Sequence, residues 1–529
     1  MKTSLRYSAA FVLSVCFAGP ALAAEIDCAS SELSDGFNGA NAKPLVVPGV
    51  ETWRGGDGKT QLSAASRIRV DNLNNAELRQ LAQNFQGQLQ RVTGLNLPVV
   101  DNTASGASAN DIVLSLTTCS GAPAAAAEEG YTLAIGAPVT LRASSGRGLF
   151  YATQTLLQLA TLQQDHTSLP RGYIADKPRY AERSIMFDVG RKFASVDFLT
   201  NYIKFLGWYK INTLHLHLND QDYDANRQWG LRAFRLKTDN PEFAGLIPSD
   251  NLYYTRADWD KLETVAAQYG VRIVPEIDTP GHAGAFVLAR PDIAYSGDNP
   301  PGGIIDPRKP ETLTYIKSVF DEFLPWFRSP VVHIGADEVN MNNGTIPASA
   351  QVAYVNALGG YLQSKGKTVQ LWGDKSYLPT LNKQFWVQRW INYGGEASFN
   401  WTQQGYRWTE SSGDWYITPG DASPAFHPNG ITGLQVYNKW PASTATSAPV
   451  GGQISVWNDH ALTFKYTYEQ DVNRYLKEAI PAAGQIFWGG KAVDAQGQTL
   501  AYSQLRPSVS KLQYGPDVSA FASAPIAGN

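Results

Sequence analysis

Charge, cysteine and long hydrophobic runs are all in short supply in this chain, and each shortage removes a class of protein from consideration. Only 17% of the 529 residues are charged, and 44 Lys and Arg nearly balance 47 Asp and Glu, for a formal net charge of −3. That balance gives no electrostatic reason to expect nucleic acid or an anionic membrane as partner. Three cysteines limit covalent stapling to a single bridge at most. No apolar segment reaches the ~20 residues that a transmembrane helix needs. Low charge does not mean disorder here, because 43% of the residues are hydrophobic and can bury a large core. The length suits two or three domains.

Aromatic residues are plentiful instead, with 14 Trp, 25 Tyr and 21 Phe. Such flat apolar faces suit carbohydrate rings, and they also build ordinary cores. The N-terminus reads as an export signal. Lys2 and Arg6 form a short basic region, Ala9 to Ala18 is apolar, and Ala21-Leu22-Ala23 is a small-residue cleavage site. Export to the periplasm or the extracellular space is therefore expected. Removal of residues 1–23 takes Cys16 with it and leaves Cys28 and Cys119, as one disulfide or as two buried thiols.

From 24 to 172 the pattern mixes short alternating runs (Arg67-Ile-Arg-Val, Ile112-Val-Leu-Ser-Leu, Tyr131-Thr-Leu-Ala-Ile, Val139-Thr-Leu-Arg-Ala) with two amphipathic helices. One helix carries Leu78, Leu81, Phe85 and Leu89, and the other runs from Leu149 to Leu159. A small α+β domain is expected. From 173 to 490 the rhythm becomes strand then helix. Strands are expected at Ser184–Val189, Thr213–Leu218, Val271–Glu276 and Val331–Gly335, then at Val369–Trp372, Phe385–Trp390, Trp415–Thr418 and Gln453–Trp457. Thr255 and Asp258 make a capping box ahead of a helix that stops at Gly270. Eight such units predict a (β/α)₈ TIM barrel. An open doubly wound sheet is the alternative, but no glycine-rich phosphate loop follows the first strand. The tail, 491–529, is rich in Ala, Ser and Gly, and its packing is not readable.

A barrel gathers its reactive groups at the C-terminal strand ends. Here those ends are Asp188, Asn219-Asp220, Glu276-Ile-Asp278, Asp337-Glu338, Trp372-Gly-Asp374, Trp390, Tyr416 and Trp457-Asn-Asp459. Together they predict a carboxylate-lined, aromatic-walled pocket. Hydrolysis of a sugar acetal needs such a pocket: an acid for the leaving oxygen, negative charge near an oxocarbenium-like centre, and flat walls for ring faces.

These residues carry a resemblance. His333-Ile-Gly-Ala-Asp337-Glu338-Val resembles the catalytic strand motif of the β-N-acetylhexosaminidases, glycoside hydrolase family 20. Pro178-Arg-Tyr-Ala-Glu-Arg183 with Met186-Phe-Asp-Val, Leu214-His-Leu-His-Leu-Asn-Asp220, Val274-Pro-Glu-Ile-Asp-Thr-Pro-Gly-His282 and Gly146-Arg-Gly-Leu-Phe-Tyr-Ala resemble further family segments, in family order. The resemblance implies an exo-acting retaining hydrolase that removes a terminal β-linked N-acetylhexosamine from an oligosaccharide or glycoconjugate. The nucleophile would be the substrate's own acetamido oxygen, and no cofactor or metal is implied. By position, Glu338 would be the general acid and then base, Asp337 would hold the acetamido N–H, and Tyr416 would donate to the acetamido oxygen. Trp372, Trp390 and Trp457 would wall the sugar, Arg183 and Asp459 would grip its hydroxyls, and Asp220 and His282 would stand as a relay behind Glu338. Asp337 and Glu338 are neighbours, so both reach one site only if the strand ends or bulges there, which Gly335-Ala336 permits.

The chain departs from the family pattern in three places. Gln221 follows Asp220 where a second Asp is usual, Asp459 replaces a Glu, and Lys192 replaces a His. The Trp457-Asn-Asp459 ending also resembles the bacterial branch that includes lacto-N-biosidases, which release a disaccharide. The resemblance implies loss of the arginine in that branch, so Arg183 favours release of a single sugar. Two rivals come from other classes. A metal-dependent hydrolase barrel would pair histidines on its first strand, whereas His215 and His217 lie on the second, so both read as hydrogen-bonded residues behind the site. A non-catalytic carbohydrate-binding barrel is opposed by the intact acid, clamp and tyrosine.

Overall fold

The computed structural model describes residues 36–518 and Phe521, except for 103–105, 118–127, 224–228, 298–301, 340–344, 375–379, 392–398, 420–430, 441–448 and 460–467. The expected leader (1–23), Cys28 and Cys119 lie outside the described residues. Among the described residues no helix is long and apolar enough to cross a membrane.

The first unit is a seven-stranded mixed sheet. Its strands are β1 (Thr52–Gln61), β2 (Ile68–Val70), β3 (Val99–Asp101), β4 (Ile112–Leu116), β5 (Tyr131–Ile135), β6 (Val139–Ala143) and β7 (Ser168–Asp176), in the order β1-β7-β5-β6-β4-β2-β3. Helices α1 (Ala76–Thr93) and α2 (Gly146–Leu162) pack on it. Asn75 and Ser145 cap the two helix starts with their side-chain oxygens, each satisfying an amide that has no partner inside its helix. β7 belongs to this sheet to Asp176, so the expected domain boundary at 172/173 falls inside a strand and the crossing lies just beyond it.

The second unit is a closed ring of eight parallel strands. These are β8 (Glu182–Asp188), β9 (Thr213–His217), β12 (Arg272–Glu276), β13 (Val331–His333), β14 (Thr368–Gly373), β15 (Trp386–Arg389), β16 (Arg407–Glu410) and β18 (Gly451–Val456). β16 meets β18 at Glu410 and Gly452 to complete the ring. The seventh strand is thus Arg407–Glu410. The expected Trp415–Thr418 survives only as β17 (Tyr416–Ile417), a two-residue strip laid against the upper end of β18. A hairpin, β10 (Asn219–Tyr223) and β11 (Trp229–Phe234), leaves the top of β9 and had no counterpart in the sequence reading.

Alternation along the strands sorts the barrel into an apolar outside and a polar inside. Ile185, Phe187, Leu214, Leu216, Ile273, Val332, Val369, Leu371, Val387 and Ile454 join the main core beneath the helices. Each such side chain contributes about 1.5–3 kcal/mol when fully buried. That sheath includes α3 (Val196–Trp208), capped by Ser195 and burying Phe198, Tyr202 and Phe205. It also includes α4 (Arg256–Gln268), whose Thr255–Asp258 capping box is formed in both directions. Inside, Val274, Val331 and Trp386 plug the lower end. Above them the Gln453 carbonyl accepts from Ser184, Gln388 and His215 at 2.9, 2.9 and 3.1 Å. A polar upper interior costs stability relative to aliphatic packing unless every group is hydrogen-bonded. Its position below the strand ends puts it directly behind the pocket.

The small unit packs against the N-terminal ends of β8 and β9. Lys210 lies fully buried, its Nζ 3.0 Å from Asp176 and 2.8 Å from the Tyr131 hydroxyl, and 4.4 Å from the centre of the Trp488 ring. The described part of the tail packs on both units. Its helix α5 (Tyr502–Leu512) buries Leu505 and Val509, and Asp517 then accepts from Gln88 and Tyr269 at 2.6 and 2.5 Å and pairs with Arg91.

Candidate functional site

The strand that carries the paired acids stops early. β13 ends at His333, and the next residues leave the ladder through left-handed backbone at Gly335 (φ 69°), Ala336 (φ 81°) and Glu338 (φ 54°). Glycine is required at 335, because a Cβ there would lie 1.5 Å from Asp278 Oδ1. That same oxygen accepts the Ala336 N–H at 3.0 Å and pins the turn. The consequence is geometric: Asp337 and Glu338, which would point to opposite faces of a strand, both come within reach of His282. Its Nε2 lies 3.4 Å from Glu338 Oε2 and 3.8 Å from Asp337 Oδ2. His282 is itself left-handed (φ 49°). Non-glycine residues in this region store about 1–3 kcal/mol each and survive only where the surroundings hold them.

Asp337 is nearly sealed at 7% exposure, whereas the Glu338 side chain is 31% exposed. Burial above all, with Glu338 and Glu276 adding and His282 opposing, raises the Asp337 pKa to about 6. Beside it Asp278 is pushed far above the usual carboxylate range, by burial first and then by Asp337. Among the described residues, Asp278 Oδ2 and Asp337 Oδ1 are buried with no hydrogen-bond donor. With both acids buried and adjacent, a second negative charge is disfavoured, and Asp278, pushed up further than Asp337, is the one that stays protonated; a hydrogen bond from it works to lower the Asp337 pKa.

Behind Glu338 runs a string of charges. His282 Nδ1 lies 3.0 Å from Asp220 Oδ1, and Asp220 Oδ2 lies 2.7 Å from His217 Nε2. Burial disfavours the imidazolium form of His282, but Asp220 and Asp337 outweigh it and hold the pKa well above that of a free histidine. Burial likewise opposes ionisation of Asp220, and Arg191 and His282 more than reverse this, so it stays anionic.

Arg191 is the residue the sequence reading missed. It stands three positions beyond the end of β8, with Nη1 2.9 Å from both Asp188 and Asp220 and Nη2 3.1 Å from Asp459. Its guanidinium lies 5.9 Å from the centre of the Trp457 ring. Arg183, expected to grip the sugar, does not reach the site. It lies near the other end of the same strand, 0% exposed, donating to Glu129 at 2.7 Å and to the Lys210 carbonyl at 2.7 Å. A charge buried that deeply needs its partner, so Arg183 is a fastening between the two units. The signal for Arg191 was a basic residue just after a strand-end acid.

The aromatic residues divide. Trp457 packs 5.2 Å from His217, 5.7 Å from Trp372 and 5.9 Å from Tyr416, measured between ring centres. Burial first, then Asp337, raises the Tyr416 pKa far above that of a free phenol, so its hydroxyl stays protonated as a donor beside the two acids. Trp372 is 1% exposed and is a sealed floor beneath Trp457 rather than an open wall, with Nε1 donating to Glu276 at 2.6 Å. Trp390 follows β15 at the same end of the barrel, and its carbonyl accepts from Gly413 on the turn that leads to Tyr416. Its indole nitrogen is buried with no partner among the described residues. The Asp459 side chain is 42% exposed at the rim, its charge directed at Arg191.

The assembled site is a partly exposed carboxyl at an opening, a buried pair of acids beside it, a neutral hydroxyl, and an arginine held by three carboxylates near the Trp457 ring. It can protonate a leaving group and stabilise a cationic centre. Similarities to known proteins fit that chemistry. Residues 180–470 match the catalytic domain of glycosyl hydrolase family 20, and residues 43–177 match domain 2 of that family. A lacto-N-biosidase of Bifidobacterium bifidum is 23% identical over 525 residues, covering 92% of this chain and 43% of its own length. A beta-hexosaminidase of Vibrio furnissii is 29% identical over 308 residues, covering 51% of this chain and 49% of its own. This chain thus spans about half the length of the curated relatives it matches. Among solved structures, the Streptomyces plicatus N-acetyl-beta-hexosaminidase is 25% identical with a TM-score of 0.72, and the match covers 92% of this chain and 98% of that one.

Proposed function

The chain belongs to glycosyl hydrolase family 20, and from that premise we propose that it is an exo-acting β-N-acetylhexosaminidase. It removes a terminal β-linked GlcNAc or GalNAc with retention, through an oxazolinium intermediate closed by the substrate's own acetamido oxygen. Glu338 gives its proton to the departing glycosidic oxygen and afterwards takes one from the attacking water. Asp337, ionised, accepts the acetamido N–H and balances the positive charge that develops on the ring. Tyr416 donates to the acetamido oxygen and fixes it for attack on the anomeric carbon. Arg191 and Asp459 at the rim meet the sugar's outer hydroxyls. The observation that carries this reading is the left-handed turn at 335–338, which presents Asp337 and Glu338 to one space with His282 behind them.

A second reading, release of a disaccharide, draws support from the lacto-N-biosidase similarity across 92% of the chain. Arg183 no longer weighs against it, because that residue lies far from the pocket. The first test compares an aryl N-acetyl-β-glucosaminide with the matched aryl β-glucoside and an aryl lacto-N-bioside. Rapid cleavage of the first and none of the second supports the acetamido mechanism. Equal cleavage of the glucoside refutes it, and cleavage of the lacto-N-bioside alone establishes the second reading. Export to the periplasm or the extracellular space is part of the proposal, tested by locating the mature N-terminus in the native host.

A further inference from the structure

Glu276 touches neither the opening nor Glu338, yet both of its carboxylate oxygens are engaged inside the barrel. It ends β12 and is fully buried. A carboxylate there is strongly disfavoured unless both oxygens are occupied. Oε1 lies 2.6 Å from Trp372 Nε1 and 3.0 Å from His333 Nδ1, and Oε2 lies 2.7 Å from His217 Nδ1 and 2.9 Å from His215 Nε2. The ionisable groups that face it are His215 and His217 from β9, His333 from β13 and, two residues along its own chain, Asp278. Against the cost of burial, His217 above all holds the Glu276 pKa well below the usual range.

His217 sits between Glu276 and Asp220 at 2.7 Å from each, so both ring nitrogens face a carboxylate. Two acceptors on one imidazole require two N–H groups, which makes the ring a cation. The chain of contacts therefore runs Glu338, His282, Asp220, His217, Glu276, Trp372. We propose that Glu276 is a positioning residue that ties the proton relay of Glu338 to the floor of the acetamido pocket. One of its oxygens fixes His217 as a cation, which keeps Asp220 anionic and His282 basic. The other fixes the Trp372 indole, which sets the depth available to the acyl group beneath Trp457. The inference rests on the hexosaminidase reading for its kinetic consequences, but the charge state of His217 stands apart from any substrate.

The test uses Glu276→Gln and Trp372→Phe in the full chain, with ¹⁵N-histidine NMR and steady-state kinetics. In the wild type the His217 ring is expected to stay doubly protonated from pH 6 to 9. In E276Q one nitrogen faces an amide donor, and the ring is expected to titrate near neutrality. E276Q should lower kcat on an aryl N-acetyl-β-glucosaminide by about 10- to 100-fold, as lost supporting hydrogen bonds do. It should also displace the alkaline side of the pH–rate profile and raise the ratio of N-propanoyl to N-acetyl turnover. W372F should raise that ratio while leaving the shape of the pH profile in place. A folded E276Q with wild-type pH profile and acyl preference overturns the inference. If E276Q does not fold, the wild-type spectrum decides, because a His217 that titrates near neutrality overturns it equally. A wild type that hydrolyses neither acyl substrate refutes the proposed function instead, and the His217 spectrum still judges the link to Glu276.

Discussion

Asp337 carries a charge that the fold holds at a cost, and replacing it with asparagine turns that cost into a measurable gain. Its pKa rises from the ordinary carboxylate value to about 6, mainly through burial. A raised carboxylate pKa means that the folded state binds the proton more tightly than the unfolded chain does. Its stabilising effect is complete below about pH 4 and is gone once the pH has passed 6. At pH 7.5 the ionised Asp337 therefore costs on the order of 3 kcal/mol, at 1.36 kcal/mol for each unit of pKa. An asparagine side chain in its place would keep the shape, accept the Asp278 proton and carry no charge. Asp337→Asn should thus raise the thermal midpoint at pH 7.5 by roughly 3–5 °C, at about 1–2 °C per kcal/mol, because the unfolding entropy grows with the size of the unit that melts. The gain should vanish near pH 4, where the wild-type acid is also neutral. Activity should fall steeply, since the developing cation loses its counter-charge. Parallel melts of the two proteins from pH 4 to pH 8 make the assay. A gain equal at both ends of that range, or no gain at pH 7.5, would refute the claim that this charge is held at a cost.

Four further outcomes follow from the same geometry. Asp278→Ala removes the donor to Asp337, a charge-assisted hydrogen bond worth about 1.5–3 kcal/mol, so the acid side of kcat/KM should move from about pH 6 to roughly pH 7–8. Asp278→Asn, which keeps a donor, should leave it near the wild-type position, and pH profiles of both variants check this. Glu338→Gln should slow substrates with poor leaving groups by about 10²–10⁴-fold and activated aryl glycosides much less, and wild-type rates on a natural oligosaccharide would remove Glu338 from the role of acid. Tyr416→Phe should lower kcat by about 10²–10³-fold with little change in KM, the loss expected for one preorganised donor, as steady-state kinetics will show. Lys210→Met should destabilise the chain by about 3–5 kcal/mol, the usual cost of stranding a buried charge, towards the lower end because Tyr131 and Trp488 still donate to Asp176 at 2.6 and 3.0 Å. A urea midpoint no lower than wild type would show that the buried pair is not a fastening.

The barrel was legible because seven of its eight strands are short runs of β-branched and large apolar residues set between helices. The seventh was not. Arg407-Trp-Thr-Glu410 has a charge at each end and reads as loop, while Trp415-Tyr-Ile-Thr nearby is the better strand former. Tertiary context decides it: Trp386 pairs with Arg407 across the ladder and packs under its guanidinium at 3.6 Å, and Glu410 pairs with buried Arg389. β1 was illegible for a related reason. Thr52–Gln61 holds three glycines and an aspartate, and it is a strand only because β7 supplies the partner edge and a bulge absorbs Gly56–Gly58.

The site was legible wherever chemistry and strand end coincide, and it was misread where one residue type serves two purposes. Glu182-Arg183 and Gly190-Arg191 bracket one strand, and either arginine could be assigned to a sugar on residue type alone. What separates them is the direction of the strand and a partner 54 positions upstream, Glu129, contributed by the other unit. For Trp372 the sequence indicated the strand end but not the indole's partner, because the carboxylate it turns to is one that no local pattern connects with it. By contrast the turn at Gly335-Ala336 was readable, because two adjacent acids with one target demand that the strand end first, and glycine is the residue that permits it. The backbone energies point the same way. Ala336, Glu338 and His282 together store several kcal/mol at about 1–3 kcal/mol each. Were these residues only a strand end, relaxed backbone would be cheaper, so the strain is best understood as the cost of bringing an acid, its neighbour and a histidine to one point.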